Sequence, residues 1–303
     1  MNKNYILSLN TGMFINRFTN YDNFSNFISK ELNMKYVQLT ADFLMLNMDK
    51  KNSLRHAEKL FNSLQKKNIK INSTFTGTFS RLNHLSHPDK DHQKFWINWF
   101  KKFFKISKEM DANYCGSHLG IVGMDQENQI NKILKTTLIK NWQILSEYAY
   151  KINLKGIIWE PMSIEREYGN TISSTKKIHN FLNIKAKIPF KLCLDLAHGD
   201  ESSTNPEDKN PYKWLKEFVN ESPVIHLKQK IKNNYGHLSF TKSNNKIGMI
   251  KSEKVLQQLS KSKLDQHELV LELAFKERSS VEKTMKEDIL QSIQYWKNSI
   301  KQI

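Results

Sequence analysis

The chain has 303 residues, 47 of them Lys or Arg against 30 Asp or Glu, a formal charge of +17 at pH 7. At 39% hydrophobic it can bury a substantial core, yet no stretch approaches the ~20 consecutive apolar residues of a membrane span, which excludes a membrane-spanning helix. The positive charge alone points to nucleic acid. Here, however, the basic residues are spread through almost every helix-like segment among many Asn and Ile, the pattern of a lysine-rich background composition, and no nucleic-acid partner is expected.

Met1 to Tyr5 is polar and resembles no signal peptide, so a cytoplasmic protein is expected. Tyr5 to Leu9 reads as a first strand, and Phe24, Phe27, Ile28 and Leu32 follow at helical spacing. Tyr36-Val37-Gln38-Leu39 is the second strand, Lys51 to Lys67 the second helix, and Ile71 to Thr76 the third strand. A longer loop with His84, His87 and Pro88 precedes an aromatic stripe from Phe95 to Phe104, whose spacing is that of a helix packed on a core. The fourth strand is Tyr114 to His118, with its helix from near Gln126 to Lys151; the fifth strand ends at Glu160, and Ile172 to Leu182 is helical. Phe190 to Asp195 is the sixth strand, followed by a helix from Asn210 to Val219 with Pro211 in its first turn. Val224 to His226 is the seventh strand, Lys251 to Leu259 its helix, Leu269 to Phe275 the eighth strand, and Val281 onward the last helix. Strand and helix alternate about eight times without a linker, as in a (β/α)8 TIM barrel forming one domain over 1–303. Cys115 and Cys193 both fall in strand-like runs and are expected as reduced core thiols.

Buried parallel strands read as continuous apolar runs, and the residues past their carboxyl ends build barrel active sites. Four such runs deliver a metal ligand at that end: Glu160, Asp195, His226 and Glu272. Any one of them alone reads as a helix cap or a surface group. Together they suit a hard or borderline divalent cation, Mn2+, Mg2+, Co2+ or Zn2+. Such an ion chelates the carbonyl and adjacent hydroxyl of a ketose and stabilises the enediolate, while one glutamate removes the carbon-bound proton and the other returns it on the opposite face. His198 is placed for a substrate oxygen or a ligand carboxylate. His118, at the end of the fourth strand, is a further candidate facing the site, equally readable as a core histidine. Arg166, Lys228 and Lys232 lie on loops after ligand-bearing strands and are the cationic candidates for a substrate phosphate, each also readable as an exposed side chain without a task. Gln229 and His237, beyond the seventh strand, complete the substrate-binding candidates.

The Glu, Asp, His, Glu order with Asp195-Leu196-Ala197-His198 on the sixth strand resembles the xylose isomerase-like barrel superfamily. More narrowly, Trp159-Glu160-Pro161-Met162-Ser163, Arg166-Glu167, Leu192 to Asp195, His198-Gly199-Asp200, Ile225 to Gln229, Gly236-His237, Phe240-Thr241, Asn244, Gly248 and Leu271 to Arg278 resemble the tetrulose-phosphate epimerases of erythritol catabolism. The likeness covers the second half of the chain well and the first half mostly by fold. It implies ligation by Glu160, Asp195, His226 and Glu272, an acid/base pair in Glu160 and Glu272, substrate contact by His198, and 3-epimerisation of a small ketose phosphate such as erythrulose 1-phosphate. Relatives are often homodimers. The chain departs from the family where Leu196-Ala197 replaces the usual pair between Asp and His. Alternatives are an apurinic endonuclease of the endonuclease IV type, an epimerase of an unphosphorylated ketose, and a catalytically idle sugar-binding barrel. Against the nuclease, His226 is followed by Lys228-Gln229, and the third strand ends in Thr76-Gly77-Thr78 without a histidine.

Overall fold

The structure, a computed structural model, describes residues 3–78, 80–232, 234–276 and 281–303; Glu277-Arg278, the end of the last family motif, lies outside the described residues. Eight parallel strands close into a barrel: β1 (Asn4–Asn10), β2 (Tyr36–Thr40), β3 (Lys70–Phe75), β4 (Tyr114–His118), β5 (Gly156–Glu160), β6 (Phe190–Asp195), β7 (Val224–Leu227) and, after a two-stranded hairpin of β8 (Gln229–Ile231) and β9 (Asn234–Leu238), β10 (Gln266–Leu271). Around the closed sheet the order runs β1, β10, β7, β6, β5, β4, β3, β2.

Period-two alternation explains both the core and the site. Side chains at i and i+2 share a face of a strand, and Ile158, Cys193, Val224 and Val270, with Phe75, form a small apolar plug inside the barrel. Two residues further along each of four strands stand Glu160, Asp195, His226 and Glu272. The alternate residues, among them Ile157, Trp159, Leu192, Leu194, Ile225, Leu269 and Leu271, belong to the larger core between sheet and helices. The aromatic stripe serves that core: on the helix Lys90–Glu109, Trp96, Trp99, Phe100, Phe103 and Phe104 are buried, with Phe100 against Trp142 at 5.1 Å between ring centroids. Burying each such ring contributes on the order of 2 kcal/mol or more.

Some boundaries differ from the sequence reading. The helix expected from near Gln126 to Lys151 is a 3-10 segment (Met124–Gln129), a helical turn, a π-helical stretch (Leu134–Leu138) and then a regular helix, Ile139–Lys151. The last barrel strand stops at Leu271 rather than Phe275, because Leu273 and Ala274 leave the sheet and Ala274 N–H donates to His237 O (3.1 Å) in β9. The loop after β7 contains the hairpin and a short helix, Lys242–Ile247, which the apolar pattern does not announce. Both cysteines are buried and unpaired, as expected, and burial pushes each thiol up to about 12. Among the described residues, no helix is long and apolar enough to cross a membrane.

Candidate active site

The four expected ligands converge. One donor atom from each of Glu160, Asp195, His226 and Glu272 lies within 4.8 Å of all the others. His226 sits between the two glutamates, with Nδ1 3.0 Å from Glu160 Oε1 and 3.5 Å from Glu272 Oε2. Asp195 is anchored by its own turn, where Ala197 N–H donates to Oδ1 (2.8 Å). Its Oδ2 is buried and faces the Lys228 ammonium and His198 Nε2 (3.2 Å). The same turn needs Gly199, which sits at φ +116° where a Cβ would meet Asp208 O at 2.2 Å.

Three carboxylates at the barrel mouth require positive charge. Lys228, 1% exposed, places its ammonium against Asp195 and 2.8 Å from Glu272 Oε2. Burial works against the Lys228 charge, but Asp195 and Glu272 outweigh it and hold its pKa above the ordinary lysine value. Burial likewise pushes Glu272 up, and Lys228, His226 and His237 more than reverse that, holding it down at about 2. Asp195 is lowered in the same way, with burial opposed by His198 and Lys228. For His226, burial disfavours the imidazolium and the surroundings favour it, for a net rise. The neighbouring Cys193 thiol is uncharged at neutral pH, so the carboxylates of Glu272 and Glu160 are the cause. The donor set fits a divalent cation: three carboxylates and one imidazole, each with a donor atom within 4.8 Å of the others.

Gln38 is the residue that sequence reading missed. His226 Nε2–H donates to Gln38 Oε1 (2.8 Å), which also accepts from Asn10 Nδ2 (2.8 Å), while Gln38 Nε2 donates to Ser73 Oγ (3.1 Å). That chain fixes the ring and leaves Nδ1 toward the carboxylates, the outer-shell support that metal-binding imidazoles usually have. The available signal was a fully buried amide in an otherwise apolar strand run, Tyr36-Val37-Gln38-Leu39.

Above the quartet opens a cavity of about 500 Å3, lined among others by Glu160, Glu272, His118, His198, Lys228 and His237. His118 is buried, its pKa pushed down to about 3 by burial and by Arg81, and its Nε2 has no hydrogen-bond partner. His198 Nδ1 lies 3.1 Å from Pro161 O. His237 stands 3.1 Å from the Lys228 ammonium, and burial together with that ammonium pushes its pKa down to about 4. Other expected residues are elsewhere. Arg166 donates to Val122 O (2.8 Å) and pairs with Glu127, away from the cavity lining. Gln229 is fully buried and spends its amide on Asn245 Oδ1 (2.9 Å), Ile250 O (3.0 Å) and Ile250 N–H (2.9 Å), so it holds the loop. Lys232 is exposed at the hairpin turn. The cations that do line the cavity are Arg17, Arg81 and Lys276, beside Lys228.

Known proteins resemble the chain over most of its length. The chain is 32% identical over 294 residues, 96% of its own length and 94% of the relative's, to D-erythrulose 1-phosphate 3-epimerase of Brucella abortus (strain 2308). Among solved structures it resembles a xylose isomerase candidate from Rhodospirillum rubrum ATCC 11170 (TM-score 0.87, 19% identity, 97% and 99% of the two chains). It also resembles the D-psicose 3-epimerase of Clostridium cellulolyticum H10 (TM-score 0.69, 12% identity, 99% of each chain), a likeness of fold. A family model described as xylose isomerase-like TIM barrel matches residues 28–298, and the chain belongs to that family.

Proposed function

We propose that this protein is a sugar epimerase of the barrel family, dependent on a divalent metal, which inverts the carbon beside the carbonyl of a small ketose phosphate, erythrulose 1-phosphate being the first candidate. The observation that carries the reading is the convergence of Glu160, Asp195, His226 and Glu272 within 4.8 Å at the floor of the cavity. We take residues 1–303 as one catalytic domain, cytoplasmic in location. Its relative's name supports the substrate class, and erythrulose 1-phosphate has a single stereocentre, C3, so a 3-epimerase interconverts its D and L forms.

The quartet would hold Mn2+, Mg2+, Co2+ or Zn2+, and the bound ion supplies Lewis-acid polarisation of the carbonyl and counter-charge for the enediolate. The chain's own residues do the rest. Glu160 ends β5 and Glu272 follows β10, with β6 and β7 between them around the barrel, so the two carboxylates approach the reacting carbon from different sides. One takes the C3 proton and the other delivers a proton to the opposite face. A single base would exchange the proton without inverting the centre, which is why two are needed. His118, neutral and with a free buried Nε2, and His198 are suited to hydroxyl or carbonyl oxygens of the substrate. Arg17, whose Nε is buried without a partner, and Lys276, exposed at the rim, are the phosphate-binding candidates.

The endonuclease alternative requires several ions held by further histidines and acids. Among the described residues the quartet shares no side chain with another ligand group, and the Lys228 ammonium lies against it, which favours the epimerase. The test is turnover of D- and L-erythrulose 1-phosphate and of unphosphorylated ketoses, with and without Mn2+, beside cleavage of abasic DNA. Interconversion of the phosphate esters only with metal supports the reading. Cleavage of DNA with no ketose turnover would overturn it.

A further inference from the structure

The loop between β3 and the helix Lys90–Glu109 holds three histidines that the cavity chemistry leaves unused. His84 stands in the single turn His84–Ser86, His87 follows it, and His92 is in the first turn of the helix. The Nδ1 atoms of His84 and His92 are 3.1 Å apart. The His87 ring stacks on His92 with centroids 4.0 Å apart at 20°, and on His84 at 5.1 Å and 26°. One ring nitrogen from each of the three lies within 4.8 Å of the other two. Two imidazole nitrogens sharing an ion at a zinc–nitrogen bond length stand roughly 3 Å apart, so the His84–His92 pair already has the spacing of adjacent ligands.

The backbone carrying the rings is fixed independently of them. Leu85 is fully buried, and its carbonyl accepts from Asn141 Nδ2 (2.7 Å); Gln93 Nε2 donates to His87 O (2.6 Å), and Ser86 Oγ to Ile121 O (2.5 Å).

We propose that His84, His87 and His92 form a second metal site, made of imidazole alone, for a borderline transition cation such as Zn2+, Ni2+ or Cu2+. Imidazole suits these ions, whereas the oxygen-rich quartet also serves Mn2+ and Mg2+. His92 is exposed and the other two rings half-exposed, so the remaining coordination positions go to water. Binding breaks the N–H···N bond between His84 and His92, and the proton involved moves to the other nitrogen of its own ring, so no proton is lost overall. It also breaks the bond from Asp89 N–H to His87 Nδ1 (3.1 Å), because a neutral imidazole cannot both ligate and accept there. Those two losses make the site a moderate binder that ties the loop to the helix.

The test is calorimetric titration of the full chain with Ni2+, alone and with the quartet saturated by Mn2+. The wild type takes up two equivalents, and Mn2+ kept in large excess blocks one of them. His92→Ala, a change at an exposed position, weakens the Mn2+-resistant equivalent about tenfold or more, and His87→Ala does the same; Mn2+ binding is unchanged in both. Asp195→Asn weakens the other equivalent and spares this one. Uptake of a single equivalent by the wild type, or a Mn2+-resistant equivalent that survives in both histidine variants, would overturn the proposal.

Discussion

Two groups of candidate metal ligands sit in this molecule, built in opposite ways. The quartet takes one residue from each of four strand ends between Glu160 and Glu272 and exists only because the barrel closes in register, Asp195 opposite His226 among its pairs. It is buried, carries three carboxylates and has to bring Lys228 in among them. The trio comes from the nine residues 84–92, is made of imidazole alone and stands partly in water. Buried charge is tolerated only when paired, so the quartet is coupled to the stability of the whole barrel, whereas the trio affects only its loop. The quartet has carboxylates able to carry protons, and the trio has none.

The contrast can be broken most decisively at the glutamates. Glu160→Gln and Glu272→Gln should each lower epimerase turnover by about 10²- to 10⁴-fold, the range for loss of a positioned acid or base, with an unchanged circular dichroism spectrum. Near-normal turnover in either variant would refute the acid/base assignment. Replacing Lys228 with Met removes the ammonium that Asp195 and Glu272 share in the metal-free chain and should cost about 3–5 kcal/mol there. Mn2+ should restore most of that loss, seen as a larger Mn2+-induced rise in Tm than the wild type shows; an equal rise would mean that Lys228 does not stand in for the cation. Gln38→Leu should weaken Mn2+ binding about 10- to 100-fold by releasing His226, without touching Ni2+ uptake at the trio.

The smallest effect lies beneath the quartet. Glu268 is buried in the barrel floor, hydrogen-bonded by Asn72 Nδ2 (2.8 Å), and burial raises its pKa despite that bond and the nearby Ser73 and Ser8. A raised carboxyl pKa means that the folded state binds the proton more tightly than the unfolded chain. Stability is therefore lost as pH rises from the ordinary glutamate range through the folded-state pKa. Glu268→Gln should flatten the dependence of Tm on pH in that window and raise Tm by a few degrees above it. An unchanged pH profile would show that this carboxyl is not the cause.

The quartet was legible in the sequence because each ligand ends an apolar run and period two fixes which face it shares with Ile158, Cys193, Val224 or Val270. The strands were legible for the same reason, and most helices from apolar residues recurring at helical spacing. Gln38 was not, since a lone amide in a strand carries no sign of its partner 188 residues away. Arg17 and Arg81 were passed over in favour of Arg166, because loop length and side-chain direction decide which arginine turns into the mouth. The hairpin of β8 and β9 went unread because its residues are polar on a short loop. His84 and His87 were visible as loop residues but not as part of a site, and His92 went unread, because the spacing becomes meaningful only once the turn stacks the rings.

In the proposed chemistry two glutamates flanking one bound cation pass protons at the carbon beside the carbonyl. Conversion of D-erythrulose 1-phosphate by the Mn2+-loaded protein in D2O tests it most directly, with the isotope located by NMR. The expected outcome is L product carrying one solvent deuterium at C3. L product that keeps its original hydrogen there would contradict it.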